Sequence, residues 1–274
     1  MYKQYTPVHQ SSLLSKSVRL FRPLLCPLDG LTCLCYVQLR SVLEDTDIRG
    51  IKTGMLFDSN AIQAITRTLR DHYGTNVPNL VCDPVCVSTS GHTLLQPEAV
   101  EDMVKELFPL ATLITPNKSE AELILSMRNL PSTIANLSDM LTASEALLTL
   151  GPKAVLLKGG HITSSMQDVA QIVSKDSKLT IIRDGLLDEN MEILQIAEED
   201  LSSRPLVVDV LRDQDAVTLF IRPRIDSTST HGTGCTLSAA IVCALGRGVP
   251  CTLYCISFEY ISHSDLTSCR LSVG

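Results

Sequence analysis

The stretch NLVCDPV at residues 79–85, followed by PEAVEDMVKELF at 97–108 and LATLIT at 110–115, decides the fold class of this chain. The first and third segments are short and apolar, which is typical of buried strands. The middle segment begins with Pro97 and repeats apolar residues at helical spacing, which is typical of an amphipathic helix. A strand, a helix and a second strand in this order predict a βαβ unit with parallel strands.

The same alternation extends outward on both sides of this unit. Residues 58–73 repeat apolar residues on one helical face, with Asp58 or Ser59 as the N-cap and Gly74 as the end. The other predicted elements are a helix in QLRSVLEDTDIRG (38–50), a strand in GIKTGML (50–56), helices in SEAELIL (119–125) and over 138–150, a strand in AVLLKGG (154–160), and a last helix opened by Gly232–Gly234.

This order of elements predicts an α/β fold, a three-layer α-β-α sandwich with a mostly parallel central sheet. The segments LVVDVL at 206–211 and AVTLFI at 216–221, joined by RDQD, predict an antiparallel hairpin at the edge of that sheet. The stretch 162–205 is acidic around Asp188–Asp200, and we interpret it as a surface insertion.

Composition excludes several classes of function. The 274 residues are 45% hydrophobic and 19% charged, which is enough for a sizeable core. The net charge of −7 argues against a non-specific nucleic-acid binder. The sequence contains no uncharged apolar run of about 18 residues, so we predict no membrane-spanning helix. Ten cysteines cluster mostly near the two ends without a clean secretory signal, so we expect free thiols and a reducing, cytoplasmic compartment.

The segment THGTGCTLSAA at 230–240 carries the strongest chemical signal. Gly232, Thr233 and Gly234 precede a helix-forming run, so their backbone N–H groups and the helix dipole predict an anion site. Cys235 lies at the same helix start, where we expect its pKa to be lowered. The alternative is a plain glycine-rich turn with a small cysteine, because short glycine-rich strings are common.

Three further segments place polar residues at strand ends. Asn117 and Glu120, in ITPNKSEAELI, suit Mg²⁺ directly or through water, or form a capping box at a helix start. Asp83 is a lone acid at an apolar strand end that needs a partner or a metal, or caps a turn. Lys158 and Gly159 end another strand. Ligands bind off the carboxyl ends of the strands in open α/β sheets, so all four segments are expected to converge on one rim.

Together and in this order, the segments resemble the hydroxymethylpyrimidine/phosphomethylpyrimidine kinases of thiamine biosynthesis, within the ribokinase-like superfamily. The resemblance runs from about Val37 to Pro250. It is carried by KTGML (52–56), DPVCVSTSGHTLL (83–95), TPNKSEAELI (115–124), KGGH (158–161) and THGTGCTLSAAI (230–241). The last is the most specific, because a cysteine after GTG distinguishes this subgroup from sugar kinases, which carry aspartate there.

The resemblance implies transfer of the ATP γ-phosphoryl group to a hydroxymethyl group or a phosphate monoester on a small pyrimidine. Cys235 would be the proton-accepting residue, and Gly232, Thr233 and Gly234 the anion hole. Lys158 and Gly159 would bind the nucleotide. Mg²⁺ would be held by Asn117, Glu120 and Asp83, directly or through water. The resemblance implies neither a nucleic acid nor a membrane as a partner, and a homodimer is compatible with it.

The chain also departs from the family pattern. A glycine-rich turn near the N-terminus and a closing C-terminal segment are not found, so we expect atypical segments at 1–37 and 251–274, a kinase-like domain over 38–250, and a sheet without its first strand. The pyrimidine-binding residues stay unassigned. A catalytically impaired nucleotide-binding remnant and a pyridoxal-type kinase are the alternatives. A cysteine-based metal module is disfavoured, because the terminal cysteines lack zinc-site spacing.

Overall fold

A computed structural model of the chain describes residues 30–86, 94–160, 162–175, 179–183, 186–187, 193–194, 205–224 and 233–248. Its helices are α1 (Gly30–Asp45), α2 (Ser59–Tyr73), α3 (Pro97–Asp102), α4 (Lys118–Met127), α5 (Leu137–Leu148), α6 (Met166–Lys175) and α7 (Thr233–Gly246). Its strands are β1 (Gly50–Thr53), β2 (Asn79–Cys82), β3 (Leu113–Ile114), β4 (Ala154–Leu157), β5 (Leu179–Arg183), β6 (Leu186–Leu187), β7 (Ile193–Leu194), β8 (Leu206–Asp213) and β9 (Val217–Pro223). Gly232, residues 1–29 of the predicted N-terminal segment 1–37, and the predicted tail 251–274 lie outside the described residues.

Seven strands form one sheet in the order β1-β2-β3-β4-β8-β9-β5, and β6 pairs with β7 separately. The first four strands are parallel neighbours, β8 is antiparallel to both β4 and β9, and β5 is parallel to β9. The predicted α/β fold with a mostly parallel central sheet is therefore confirmed.

The hairpin of β8 and β9 was predicted at the edge of the sheet, and this prediction is wrong. Strand β5 lies outside it, with Ile181 paired to Leu219 and Arg183 to Ile221. The sequence LTIIR that forms β5 belongs to the stretch 162–205, whose acidic residues suggested a surface insertion. Part of that stretch thus extends the sheet, because its own apolar strand covers the free edge of β9.

Local sequence explains where the helices begin and end. Asp58 caps α2 by accepting a hydrogen bond from the Ala61 N–H at 2.8 Å, and Gly74 ends the helix with a φ of 61°. The predicted helix over 97–108 begins at Pro97 and continues through a π-helical turn at Met103–Leu107. No helix in the described part of the chain is long and apolar enough to cross a bilayer.

Apolar side chains fill both faces of the sheet. The larger core lies under α1 to α6 and includes Ile62, Leu107 and Ile124. The smaller core lies on the opposite face, where α7 packs Leu237 and Ile241 against the strands. Among the described helices α7 alone covers that face, which gives the three layers. The start of α7 lies near the carboxyl ends of β2 and β4, where Ser238 contacts Asp83 and Gly234 lies close to Lys158.

Candidate active site

Asp83 is the centre of the polar cluster at this rim. It directly follows β2, and only 1% of its surface is exposed. Two ammonium groups flank its carboxylate: Lys158 Nζ lies 3.4 Å from Oδ1, and Lys52 Nζ lies 3.9 Å from Oδ2. Lys52 belongs to β1 and Lys158 follows β4. The carboxyl ends of three parallel strands thus bring one buried anion and two cations together.

Two hydroxyl groups complete the surroundings of this carboxylate. Thr115, which follows β3, donates a hydrogen bond from Oγ1 to Asp83 Oδ1 at 3.2 Å. Ser238, in the second turn of α7, is within 3.2 Å of Asp83 Oδ2 and 3.0 Å of the Cys235 carbonyl oxygen. The expectation that a buried acid at this position needs partners is confirmed. The Ser238 contact also ties α7 to the end of β2.

The start of α7 faces the same cluster. The helix begins at Thr233, and its first turn contains Gly234 and Cys235. A Cβ placed on Gly234 would lie 3.0 Å from Lys158 Nζ, so this glycine admits the ammonium group close to the helix start. Backbone N–H groups, the positive end of the helix dipole and a lysine then share one small volume, which favours an anion.

The pKa of Cys235 differs from the expectation. Its partial burial raises the pKa of the thiol, and the negative charge of Asp83 raises it further, while Lys52 and Lys158 act in the opposite direction. The prediction that the helix start lowers this pKa is therefore wrong. Burial, and after it the carboxylate in front of the helix, raise the pKa at a position where the helix start alone would favour a thiolate.

Asn117 and Glu120 form the capping box that the sequence left open as an alternative. The Asn117 side chain accepts from the Glu120 N–H at 2.9 Å, and the Glu120 carboxylate accepts from the Asn117 N–H at 2.8 Å. Burial raises the pKa of Glu120 to about 7, against the positive charge of Lys158. In the described part of the chain no three His, Cys, Asp or Glu side chains come together as a metal cluster. The metal-binding role of these residues stays a prediction.

The turn after β4 is held from two sides. The Lys158 N–H donates to the Pro116 carbonyl oxygen at 2.9 Å, and the Gly159 N–H donates to the Asp209 carboxylate. A Cβ placed on Gly159 would overlap the carbonyl oxygen of Val208 and lie 2.9 Å from its carbonyl carbon. Packing alone therefore requires glycine at 159, and its role in nucleotide binding stays a prediction.

With this geometry in place, comparison with known proteins identifies the family. The family model for phosphomethylpyrimidine kinase matches residues 34–192 and 194–253. This chain belongs to the phosphomethylpyrimidine kinase family. The predicted family and the predicted ribokinase-like fold are thereby confirmed. The predicted domain boundaries, with a break at 37, an insertion over 162–205 and a tail from 251, stay a prediction.

Relatives in this family span a wide range of organisms. A hydroxymethylpyrimidine/phosphomethylpyrimidine kinase from Rhizobium meliloti is 31% identical over 86% of this chain and 71% of its own length. One from Streptomyces coelicolor is 30% identical over 77% of this chain, which spans 60% of that relative. A thiamine biosynthesis bifunctional protein from Geobacter sulfurreducens is 36% identical over 78% of this chain, which spans 34% of that protein.

Solved structures show the same fold. The phosphomethylpyrimidine kinase of Clostridium difficile 630 is 30% identical, has a TM-score of 0.57, and the match covers 84% of this chain and 74% of that one. A Bacillus subtilis pyridoxal kinase in complex with ADP is 25% identical, has a TM-score of 0.58, and the match covers 81% of this chain and 66% of that one.

In this member of the phosphomethylpyrimidine kinase family, the four chemistry-bearing segments do converge, as predicted. The sequence motifs point to Asp83, Lys158 and Cys235 but not to three of their neighbours: Lys52, Thr115 and Ser238. Lys52 had a usable signal, because it is the one charged residue in the apolar segment GIKTGML and stands on the strand beside β2. The two hydroxyl residues had none, since Thr and Ser are common at strand ends and in helices.

Proposed function

We propose that this chain transfers the γ-phosphoryl group of ATP to hydroxymethylpyrimidine, to its monophosphate, or to both, within thiamine biosynthesis. The observation that carries the proposal is the pair of ammonium groups on either side of the buried Asp83, with that of Lys158 directly in front of the start of α7. Phosphoryl transfer needs positioned positive charge and N–H groups around the transferred phosphoryl more than it needs covalent chemistry. The relatives that carry this activity by name support the same reaction.

Each residue then has a proposed role. Lys158 binds the nucleotide phosphates, because its ammonium group reaches the helix start. The backbone of Gly232, Thr233 and Gly234 forms the anion hole, with Gly159 next to Lys158 in the nucleotide site. The ADP complex of the Bacillus subtilis pyridoxal kinase supports a nucleoside phosphate as the donor.

Cys235 is proposed to accept the proton of the attacking hydroxyl group. Its raised pKa means that the sulfur is protonated at neutral pH. A neutral thiol can accept the hydroxyl proton only if it gives up its own proton at the same time. The neighbouring Asp83 carboxylate is the group that would accept the proton from the thiol. The sulfur would thus stay neutral, and Asp83, which receives the proton, would contact Mg²⁺ only through water.

Mg²⁺ fits the oxygen donors at this rim. Asp83 and Glu120 are buried carboxyl groups close enough for the charge of Asp83 to raise the pKa of Glu120. Magnesium in kinase sites is held by one or two carboxylates, waters and substrate phosphates, and it would neutralise charge on the phosphates. Asn117 already has its side-chain oxygen engaged in the capping box, so it would contribute through water.

The test is to incubate the purified chain with ATP, Mg²⁺ and one acceptor at a time, and to follow ADP release. The acceptors are hydroxymethylpyrimidine, its monophosphate and pyridoxal. We expect turnover with at least one of the first two, and a strong loss of turnover in Cys235→Ala with ADP binding retained. Turnover with pyridoxal alone would select the pyridoxal-type alternative. Nucleotide binding without turnover would select the non-catalytic alternative.

A homodimer and a cytoplasmic location stay predictions.

A further inference from the structure

We propose that Asp209 is a positioning residue that holds Lys158 in the nucleotide site by fixing the backbone of Gly159. The inference rests on the proposed function, since it assigns Asp209 a part in the same site. Asp209 lies on β8, outside the five segments that carry the family resemblance.

Asp209 is a charged residue deep in the sheet, with 1% of its surface exposed. One carboxylate oxygen accepts the Gly159 N–H, and the other lies 2.9 Å from Arg222 Nη2 on β9. A carboxylate accepts a backbone N–H more strongly than a neutral oxygen does. Arg222 supplies the opposite charge that a buried carboxylate needs. The pair therefore allows a strong acceptor to sit beneath the turn.

The register of the sheet explains why this acceptor reaches Gly159. Strands β4 and β8 are antiparallel, and Leu157 pairs with Val210. Continuing this register beyond β4 brings the Lys158–Gly159 turn alongside Val208 and Asp209. Because Gly159 has no side chain, its backbone can pack directly against the backbone of Val208. Close backbone contact and the hydrogen bond to Asp209 thus restrain the same residue.

The restraint on Gly159 acts on Lys158, its neighbour. The Lys158 N–H is bound to Pro116 at the end of β3, so the turn is anchored toward β3 on one side and toward β8 on the other. Between these anchors the side chain of Lys158 reaches Asp83 at 3.4 Å and the start of α7. Small displacements of a positioned charge cost much of its effect on catalysis. Asp209 therefore contributes through Lys158 without touching the nucleotide.

The test compares Asp209→Asn, Lys158→Met and the double variant for kcat, for KM of ATP and of the pyrimidine, and for ADP affinity. We expect Asp209→Asn to raise KM for ATP and the Kd of ADP about tenfold, with KM for the pyrimidine unchanged, because the displaced charge is that of Lys158. In the Lys158→Met background the same change should add less than about threefold, because its effect passes through Lys158. Full additivity, or equal losses for both substrates, would overturn the proposal.

Two further variants and one further measurement separate the positioning role of Asp209 from effects on folding and from the proposed function. Asp213→Asn changes the same residue type at the far end of β8, where Asp213 accepts the Asp215 and Ala216 N–H groups of the hairpin turn, and should leave ADP affinity unchanged. If Asp209→Asn does not fold, Arg222→Lys, which keeps the positive charge beside Asp209, is tested in its place. Hydrogen exchange of the segment 154–160 should accelerate in Asp209→Asn even if no acceptor is turned over. Unchanged exchange there would contradict the proposal, whereas absent turnover alone would contradict only the assigned reaction.

Discussion

Lys158 and Asp83 form an ion pair between the ends of two strands that are not neighbours. Nζ of Lys158 lies 3.4 Å from Oδ1 of Asp83, although β3 separates β4 from β2 in the sheet. The pair bridges the end of β3, where Thr115 donates to the same carboxylate oxygen. An ammonium group held in this way points at the start of α7 before any phosphate arrives. Such preorganised charge lowers the cost of reorganisation during reaction.

Replacing Lys158 by Met should therefore remove activity while the fold remains. Met keeps the length and apolar stem of lysine but removes the charge. We expect kcat/KM for ATP to fall by roughly 100-fold, the size of effect seen when one charge-stabilising donor is removed. Steady-state kinetics with varied ATP, together with circular dichroism, measures both parts of this prediction.

The matched control is Lys118→Met. Lys118 begins α4, next in sequence to Asn117, but its ammonium group lies 3.8 Å from Glu122 on the helix surface. Its loss should change kcat/KM by less than about twofold, since partly exposed ion pairs of this kind contribute little. Equal losses in the two variants would show that net positive charge, rather than the position of Lys158, supports the reaction.

The sequence predicts the layers of this fold well, because strongly periodic segments bury one face wherever they lie. The helix over 58–73, its cap at Asp58 and its end at Gly74 follow from local chemistry alone. The position of β5 in the sheet does not follow from local chemistry. Its five residues lie in a charged stretch, and their pairing with β9 depends on which edge the hairpin leaves free. Edge pairing is a tertiary choice that local sequence does not encode.

The candidate site, like the fold, could be predicted from the sequence only in part. Convergence of Asp83, Lys158 and α7 follows from the rule that parallel strands end at one rim. The raised pKa of Cys235 does not follow from the sequence, because it depends on the partial burial of the thiol and on the Asp83 carboxylate that faces it. The Lys158 ion pair was equally out of reach, since it joins residues 75 positions apart. Electrostatics at a site depends on such distant partners more than on motif spacing.

The pKa of the Cys235 thiol should respond to its acidic and its basic neighbours in opposite directions. Asp83 raises it and Lys52 lowers it, in addition to the larger effect of partial burial. Asp83→Asn should therefore lower the pKa of Cys235, and Lys52→Met should raise it. The measurement is the pH dependence of iodoacetamide modification at Cys235, followed by mass spectrometry of its peptide.

Cys243 provides the internal reference for this experiment, because it is exposed on the same helix. The buried Cys82 and Cys86 should react slowly, since burial raises the pKa of each thiol to about 12. Shifts of Cys235 in the same direction in both variants would mean that loosened packing, rather than charge, controls the thiol.

Glu120 should make the free energy of unfolding depend on pH. Burial raises its pKa in the folded protein from 4.5 to about 7, so between these values the folded state binds a proton that the unfolded state has released. Stability therefore falls as pH rises from about 4.5 to about 7, by on the order of 3 kcal/mol from this residue. Glu120→Gln keeps the side-chain oxygen that caps α4 but removes the charge. In denaturant unfolding without nucleotide, the free energy of unfolding of this variant should not show this decrease between about pH 4.5 and about pH 7.

Glu145→Gln, on the exposed side of α5, is the control for this titration and should leave the pH profile of the parent chain unchanged. The informative quantity is the difference in unfolding free energy between variant and parent at pH 5 and at pH 8. A Glu120→Gln difference that is the same at both values would mean that the carboxyl group ionises normally in the folded state.

Gly159 and Gly160 are adjacent, yet their replacement by alanine should have opposite outcomes. A Cβ on Gly159 would overlap backbone atoms of Val208, which cannot rotate away as a side chain could, whereas a Cβ on Gly160 would meet nothing within 4 Å. We expect Gly159→Ala to lower the free energy of unfolding by at least about 2 kcal/mol, since overpacking against fixed atoms forces the backbone to move. Gly160→Ala should change it by less than about 0.5 kcal/mol. Denaturant unfolding of the two variants side by side makes this comparison. Because the displaced backbone carries Lys158, Gly159→Ala should also weaken ADP binding, and a variant of normal stability and affinity would show that the turn does not rest on β8.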